Sequence, residues 1–191
     1  EQTKVIYTCQ FAGIIPAGPG KSHQSVRDIS LFGALPNVTI IQPCNAEETK
    51  WATEYCVNKA KENCVLRLVI GPSPEKIELP KDYKFKVGIG AELTDGNDAI
   101  LFGYGPVMLH EALLASDYLK KLDFGLKVIN MPWLNKIDKD WLKEVNKYEK
   151  WLMTEPNDYN GLQNSFIEFN KKLDSVRNEK FNEVFPEYSK L

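Results

Sequence analysis

Gly20–Thr49 reads GKSHQSVRDISLFGALPNVTIIQPCNAEET and places a histidine loop, a helical pattern, an apolar strand and a second polar loop in direct succession. From Ser25 onward, Val26, Ile29, Leu31, Phe32 and Leu35 recur at helical spacing, and Pro36-Asn37 ends the pattern. Val38–Gln42 is a short β-branched run and predicts a strand. Asn45 then reads as an N-cap with Glu48 as its capping-box partner. The helix predicted from Ala46 to about Lys61 sets Trp51, Ala52, Tyr55, Cys56 and Ala60 on one face.

Working outward, Val5–Cys9 predicts a buried strand, and the three glycines and two prolines of Phe11–Gly20 predict a loop whose backbone amides can face a ligand. Cys64–Ile70 is a second apolar strand interrupted by one charge, Arg67. Gly71–Lys86 holds three prolines and many charges with no helical period, so the chain divides into a unit at 1–72, a linker at 73–86 and a unit at 87–191. In the second unit the pattern predicts an edge strand at Gly88–Glu92, a turn at Thr94–Asn97 and a buried strand at Ala99–Tyr104. A helix over Val107–Leu122, a strand over Leu126–Met131 and a helix over Asp138–Asn146 follow. A strand at Trp151–Thr154 and a helix from about Gly161 complete it. Strands alternating with helices require crossover connections. The expected fold class is therefore α/β, two three-layer units with mostly parallel sheets.

Composition narrows the function. With 24 basic and 26 acidic residues the formal charge is -2, so no single-sign field draws the chain to nucleic acid or to an anionic membrane. The apolar runs fall far short of the roughly 20 residues of a membrane span. Cys9, Cys44, Cys56 and Cys64 form no CxxC pair and read as reduced thiols of a cytoplasmic protein, and no metal site is expected. Small molecules or other subunits are the expected partners.

His23 is the leading candidate for chemistry, because an imidazole after a glycine-rich loop can face a ligand and move a proton near neutral pH. Gln24 and Ser22 are its polar neighbours, and Ser22 serves equally as a helix cap. Lys21 reads as a solvated loop lysine. Arg67 sits where an isolated charge is costly, so it needs a carboxylate, a subunit contact or a ligand. His110 reads as a packed histidine within its helix. Gly103-Tyr104-Gly105 precedes a helix but lacks both the third glycine of a dinucleotide fingerprint and a GK[ST] triplet, so tight strand-to-helix packing explains it. The aromatic-rich end, from Trp141 and Tyr148 to Phe185 and Tyr188, reads as core or dimer interface.

These residues resemble the transketolase-like enzymes that use thiamine diphosphate. Gly20-Lys21-Ser22-His23-Gln24 resembles the family's G-P-T-H-Q, with Asp28-Ile29 following, and Leu35-Pro36-Asn37-Val38-Thr39 resembles its helix-to-strand turn. Pro43, Ala46, Glu47 and Thr49 continue the likeness. In the second unit, Asp98–Leu101 with Gly103 and Gly105, Ala112 and Ala115, Val128–Met131, Leu134–Asp138, Thr154-Glu155 and Gly161-Leu162 resemble successive motifs of the family's C-terminal domain. Where transketolases carry a second arginine, three residues after Arg67, this chain has Ile70.

The resemblance implies the later half of a pyrimidine-binding domain followed by a transketolase C-terminal domain, hence a portion of an enzyme that moves a two-carbon ketol unit between sugars. It implies thiamine diphosphate with a divalent metal such as Mg2+ in the complete enzyme and none on this portion alone, since the diphosphate-binding domain and the activating glutamate lie in sequence this chain lacks. It implies His23 in the substrate channel as the catalytic residue, with His23, Gln24, Ser22 and Arg67 as substrate-binding residues and the cofactor-binding residues unknown. The implied partners are a sugar or sugar phosphate and either a homodimer or a complementary subunit carrying the diphosphate-binding domain. Two rivals share the fold, the beta subunit of a 2-oxo acid dehydrogenase and 1-deoxyxylulose-5-phosphate synthase. A third is a non-catalytic interaction module.

Overall fold

Two three-stranded sheets, each with a parallel pair at its centre, carry the chain, whose computed structural model describes residues 3–14, 18, 20–70 and 75–145. The first sheet joins β1 (Ile6–Cys9), β2 (Val38–Ile41) and β3 (Asn63–Arg67) in the order β1-β3-β2, all parallel. Parallel neighbours need crossovers, and α1 (Asp28–Gly33) and α2 (Ala46–Glu54) supply them. The last turn of α2 widens into π-type hydrogen bonding over Tyr55–Lys59, closed by Ala60 N donating to Tyr55 O at 2.9 Å.

Side-chain alternation along these strands sorts the core onto two faces. Ile40 and Val65 meet Phe32 of α1, whereas Ile41, Cys64 and Leu66 meet Ala52 of α2 and Cys56 of the π-type turn after it. This apolar face of α2 is the one its spacing predicts.

The second sheet orders β4 (Ala91–Glu92), β5 (Ala99–Gly103) and β6 (Leu126–Asn130) as β4-β6-β5. β5 runs parallel to β6, and β4 closes the other side antiparallel. Leu109 and Ala112 of α3 (Pro106–Lys120) pack on Val128, while Trp141 of α4 (Lys139–Val145) reaches Phe102 across 6.4 Å between ring centroids. No helix among the described residues is long and apolar enough to cross a membrane.

Three expectations are corrected. Among the described residues, the strands at Val5–Cys9 and Ala99–Tyr104 lie at the sheet edges rather than buried, with Ile6, Tyr7, Leu101 and Phe102 all exposed. Their β-branched and aromatic content suits any pleated surface, and composition does not say which strand lies at an edge. The helix expected from Ser25 begins at Asp28, because Ser25 is held in bridges to Ala12 and Gly13, and Val26, Leu31 and Leu35 are exposed. The strand at Trp151–Thr154, Glu155, the helix from Gly161 and the aromatics beyond Trp141 lie outside the described residues.

The two sheets are stitched through residues 132–135, which lie along the open side of β2. Gln42 N donates to Pro132 O at 2.9 Å, and Leu134 N to Ile40 O at 2.9 Å. The Asn135 side chain acts as a further peptide, accepting from Ile40 N at 2.9 Å and donating to Val38 O at 2.8 Å. Trp133 is buried on this seam against Tyr55 and Phe85, with ring centroids 5.0 and 4.7 Å away. Ile77, from the segment between the sheets, is buried with Leu109 and Val128, and its carbonyl accepts from Asn45 Nδ2 at 2.8 Å. Burying an isoleucine of that size stabilises by about 1.5–3 kcal/mol.

Gly105 is required where the seam meets α3. Its φ of 70° and ψ of 161° lie in a region open essentially to glycine, and a Cβ there would collide with the Gln42 amide. Gly105→Ala is expected to destabilise the fold by about 1–3 kcal/mol from backbone strain alone, read from the urea denaturation midpoint.

Candidate functional site

The histidine loop is anchored by its backbone. β1 delivers the chain to Phe11–Ile14 at the carboxyl ends of the parallel strands, where ligands of open α/β sheets bind. Ser25 N donates to Phe11 O at 2.9 Å and Gly13 N to Ser25 O at 2.8 Å, while Ala12 N donates to Leu68 O at 3.1 Å. A single 3-10 turn over Gly20–Ser22 follows, in which Gly20 O accepts from both His23 N and Gln24 N at 3.1 Å. Gln24 pins the loop further, its Nε2 donating to Ile14 O at 2.7 Å.

His23 is exposed, with the Ser22 hydroxyl 2.9 Å from its Nδ1 and its ring edge-on to Phe11 at 5.4 Å. The Ser22 and His23 side chains thus meet, while the Gln24 side chain turns to Ile14. An imidazole oriented through Nδ1 on an exposed loop can bind a hydroxyl and pass a proton. Lys21 beside it is exposed, and His110 is half-buried on α3 in the second unit.

Arg67 faces a different set of groups. It ends β3, is 5% exposed, and makes a two-point ion pair with Asp28 at the start of α1, Nε to Oδ2 at 2.6 Å and Nη2 to Oδ1 at 3.1 Å. Its Nη1 donates to Gln42 Oε1. The partner that an isolated charge in an apolar strand demands is thus a carboxylate of the same unit, 39 residues earlier. Parallel N–H···O contacts of this kind fix orientation as well as charge. Gln42 in turn abuts Gly105, so a polar path runs from α1 through β3 to the N-terminus of α3.

A cleft of about 200 Å³ lies along this path, lined by Ala12, Gly13, Gln42, Arg67, Tyr104 and Met108 among others. Ser22, His23 and Gln24 do not line it. Sequence reading missed Gln42 altogether and met Asp28 only as part of a motif. The signal available for both was Arg67 itself, whose burial needs acceptors.

A second buried polar group lies behind the first. Glu48 and Asn130 are both fully buried, and Asn130 Nδ2 donates to Glu48 Oε1 at 2.9 Å. Asn45 Oδ1 caps α2 by accepting from Glu48 N at 2.8 Å, as the capping box predicts. The Glu48 carboxyl, however, accepts from Cys44 N at 2.8 Å instead of from Asn45 N.

Among the described residues no group of three or more His, Cys, Asp or Glu side chains could hold a metal ion. Breaking the Asp28–Arg67 pair from one side strands a buried charge. Asp28→Leu is expected to cost about 3–5 kcal/mol, whereas the double replacement Asp28→Leu with Arg67→Met costs far less. Urea denaturation of the two single variants and the double variant closes the cycle, and near-additive losses would show that the pair is uncoupled.

Comparison with known proteins agrees with this architecture. The profile of the transketolase pyrimidine binding domain matches residues 1–69, and that of the transketolase C-terminal domain matches residues 88–172. An uncharacterized transketolase family protein of Sinorhizobium fredii is 34% identical over 139 residues, 72% of this chain and 39% of that protein. The 1-deoxy-D-xylulose-5-phosphate synthase of Clostridium acetobutylicum is 29% identical over 168 residues, 87% of this chain and 27% of the synthase. Among solved structures, a split-gene transketolase described as an inactive β4 tetramer superposes with a TM-score of 0.63 at 26% identity, over 88% of this chain and 53% of that one. The chain thus spans well under half the length of these two curated relatives. The two matched profiles, in this order and on these two sheets, establish that the chain belongs to the transketolase family.

Proposed function

We propose that this chain is the C-terminal portion of a thiamine-diphosphate-dependent, transketolase-like transferase that moves a two-carbon ketol unit between sugars, and that it works with a complementary polypeptide carrying the diphosphate-binding domain. The observation that carries the reading is the ordered match of pyrimidine-binding and C-terminal domains on two adjoining α/β units, with the His23 loop at the carboxyl ends of the first sheet. The split-gene transketolase supports the partition between two polypeptides. A cytoplasmic setting accords with the free cysteines Cys9, Cys44, Cys56 and Cys64.

The cofactor would supply the carbanion chemistry. On the family resemblance, the cofactor's diphosphate and metal are assigned to the complementary polypeptide.

The roles left to this chain are substrate binding and orientation. His23, its Nδ1 engaged by Ser22, presents Nε2 to a sugar hydroxyl and holds or passes a proton there. Gln24 keeps the loop in place through Ile14 O. Arg67 serves the substrate at one remove, through the loop and α1 that its pairing with Asp28 fixes, with Ile70 standing where a second arginine would meet a phosphate. The length of its match gives 1-deoxyxylulose-5-phosphate synthase the second place.

Two measurements test the reading. Titrating the 191-residue chain with thiamine diphosphate and Mg2+ in a calorimeter is expected to give no heat of binding, and micromolar affinity would refute the partition. In the assembled enzyme, His23→Ala is expected to lower turnover about 10²–10⁴-fold, the usual contribution of a general acid or base. The folding free energy should shift by under about 0.5 kcal/mol, as at other exposed sites. Unchanged kinetics would remove His23 from the site.

A further inference from the structure

Glu48 is fully buried and, among the described residues, is faced by hydrogen-bond donors rather than by a cation. The groups that face it come from three segments. Within its own cap lie the Cys44 amide and thiol, at the end of β6 lies Asn130, and from the segment between the sheets comes the Tyr83 hydroxyl. One carboxyl thus ties both units and their connection together.

Cys44 and Tyr83 are both pushed above their ordinary ranges by burial and by Glu48 itself, so they stay neutral around pH 7. Burial also pushes the Glu48 carboxyl up, and the hydrogen bonds from Cys44, Asn130 and Tyr83 offset only part of that effect.

The remaining polar atom of the cluster supplies the other half of the device. Asn130 Oδ1 is buried and has no hydrogen-bond partner among the described residues. A half-turn of the amide exchanges its nitrogen and oxygen, which brings Oδ1 to the position 2.9 Å from Glu48 Oε1. The amide thus donates to the carboxylate in one orientation and accepts from the carboxylic acid in the other.

We propose that Glu48 and Asn130 form a proton-linked latch across the seam between the two α/β units, held most firmly when Glu48 carries its proton. Opening the seam admits water to the carboxyl and returns it to ordinary carboxylate behaviour. The closed seam therefore binds the proton more tightly than the open one. Its extra stability is fully present below the ordinary glutamate range and is lost as pH rises through the raised value. The seam loosens as the solution becomes less acidic.

Native-state hydrogen exchange of the intact chain tests this, with the amides of Gln42, Asn130 and Leu134 as reporters, each corrected for its intrinsic exchange rate. From about pH 4.5 upward the opening equilibrium is expected to rise by up to tenfold per pH unit until Glu48 is ionised. In Glu48→Gln, whose amide can still bond to Cys44 N and Asn130 without titrating, the slope is expected to vanish and the seam to stay closed. A slope shared by both proteins, or no slope in the native chain, overturns the latch. A carbon-13 titration of the glutamate carboxyls in the native chain is independent of how the variant folds. One resonance titrating above the ordinary range together with seam opening supports the latch, and all glutamates titrating within that range refutes it.

Discussion

A guanidinium at the end of β3 sets the terms for the first unit. Arg67 is buried, and a buried cation is tolerated only if carboxylate and amide oxygens replace its water. Asp28 and Gln42 do so, and each brings a different piece of chain. Asp28 fixes where α1 begins, and therefore where the loop bearing His23 must end. Gln42 fixes the exit of β2 and, by filling the space beside Gly105, the start of α3 in the second unit.

The same requirement recurs at the seam with the sign reversed. Glu48 is a buried acid satisfied by neutral donors from Cys44, Asn130 and Tyr83. Hydrogen bonds suffice where a full countercharge is absent, but they leave the acid's ionisation tied to its burial. Around both groups the apolar packing of Ile77, Trp133 and Leu109 excludes water and makes the polar contacts matter. Two α/β units that could have been joined by a loose tether are thus locked by a few oriented polar groups in a dry interface.

The histidine loop stands apart from this rigid interior. It is exposed, and its position depends on backbone bonds to Phe11, Gly13 and Gly20 more than on packing. That is the usual arrangement for binding residues, carried on a loop and aimed by a scaffold. The loop reaches the scaffold through the bond from Ala12 to Leu68, one residue beyond Arg67, so the ion pair and the loop share an anchor.

Much of this was legible in the chain, and the parts that were not share a reason. Alternation of β-branched runs with helical spacing gave the order of elements, Asn45 gave the start of α2, and the motif around His23 gave the family resemblance, because each depends on residues only a few positions apart. The edge placement of Ile6–Cys9 and Ala99–Gly103 among the described strands was hidden, since strand order follows from which crossover folds back where. So were the partners of Arg67, which lie 39 and 25 residues away, and the Asn130 partner of the Glu48 carboxyl, which lies 82 residues away. Sequence by itself determined that Arg67 must find an oxygen acceptor and that Asn45 must cap a helix, because burial and backbone valence demand it locally. Only the tertiary structure decided that Asp28 and Gln42 would meet Arg67 and that Asn130 would meet Glu48, because side chains so far apart in sequence come within hydrogen-bonding distance only when the sheets form and dock.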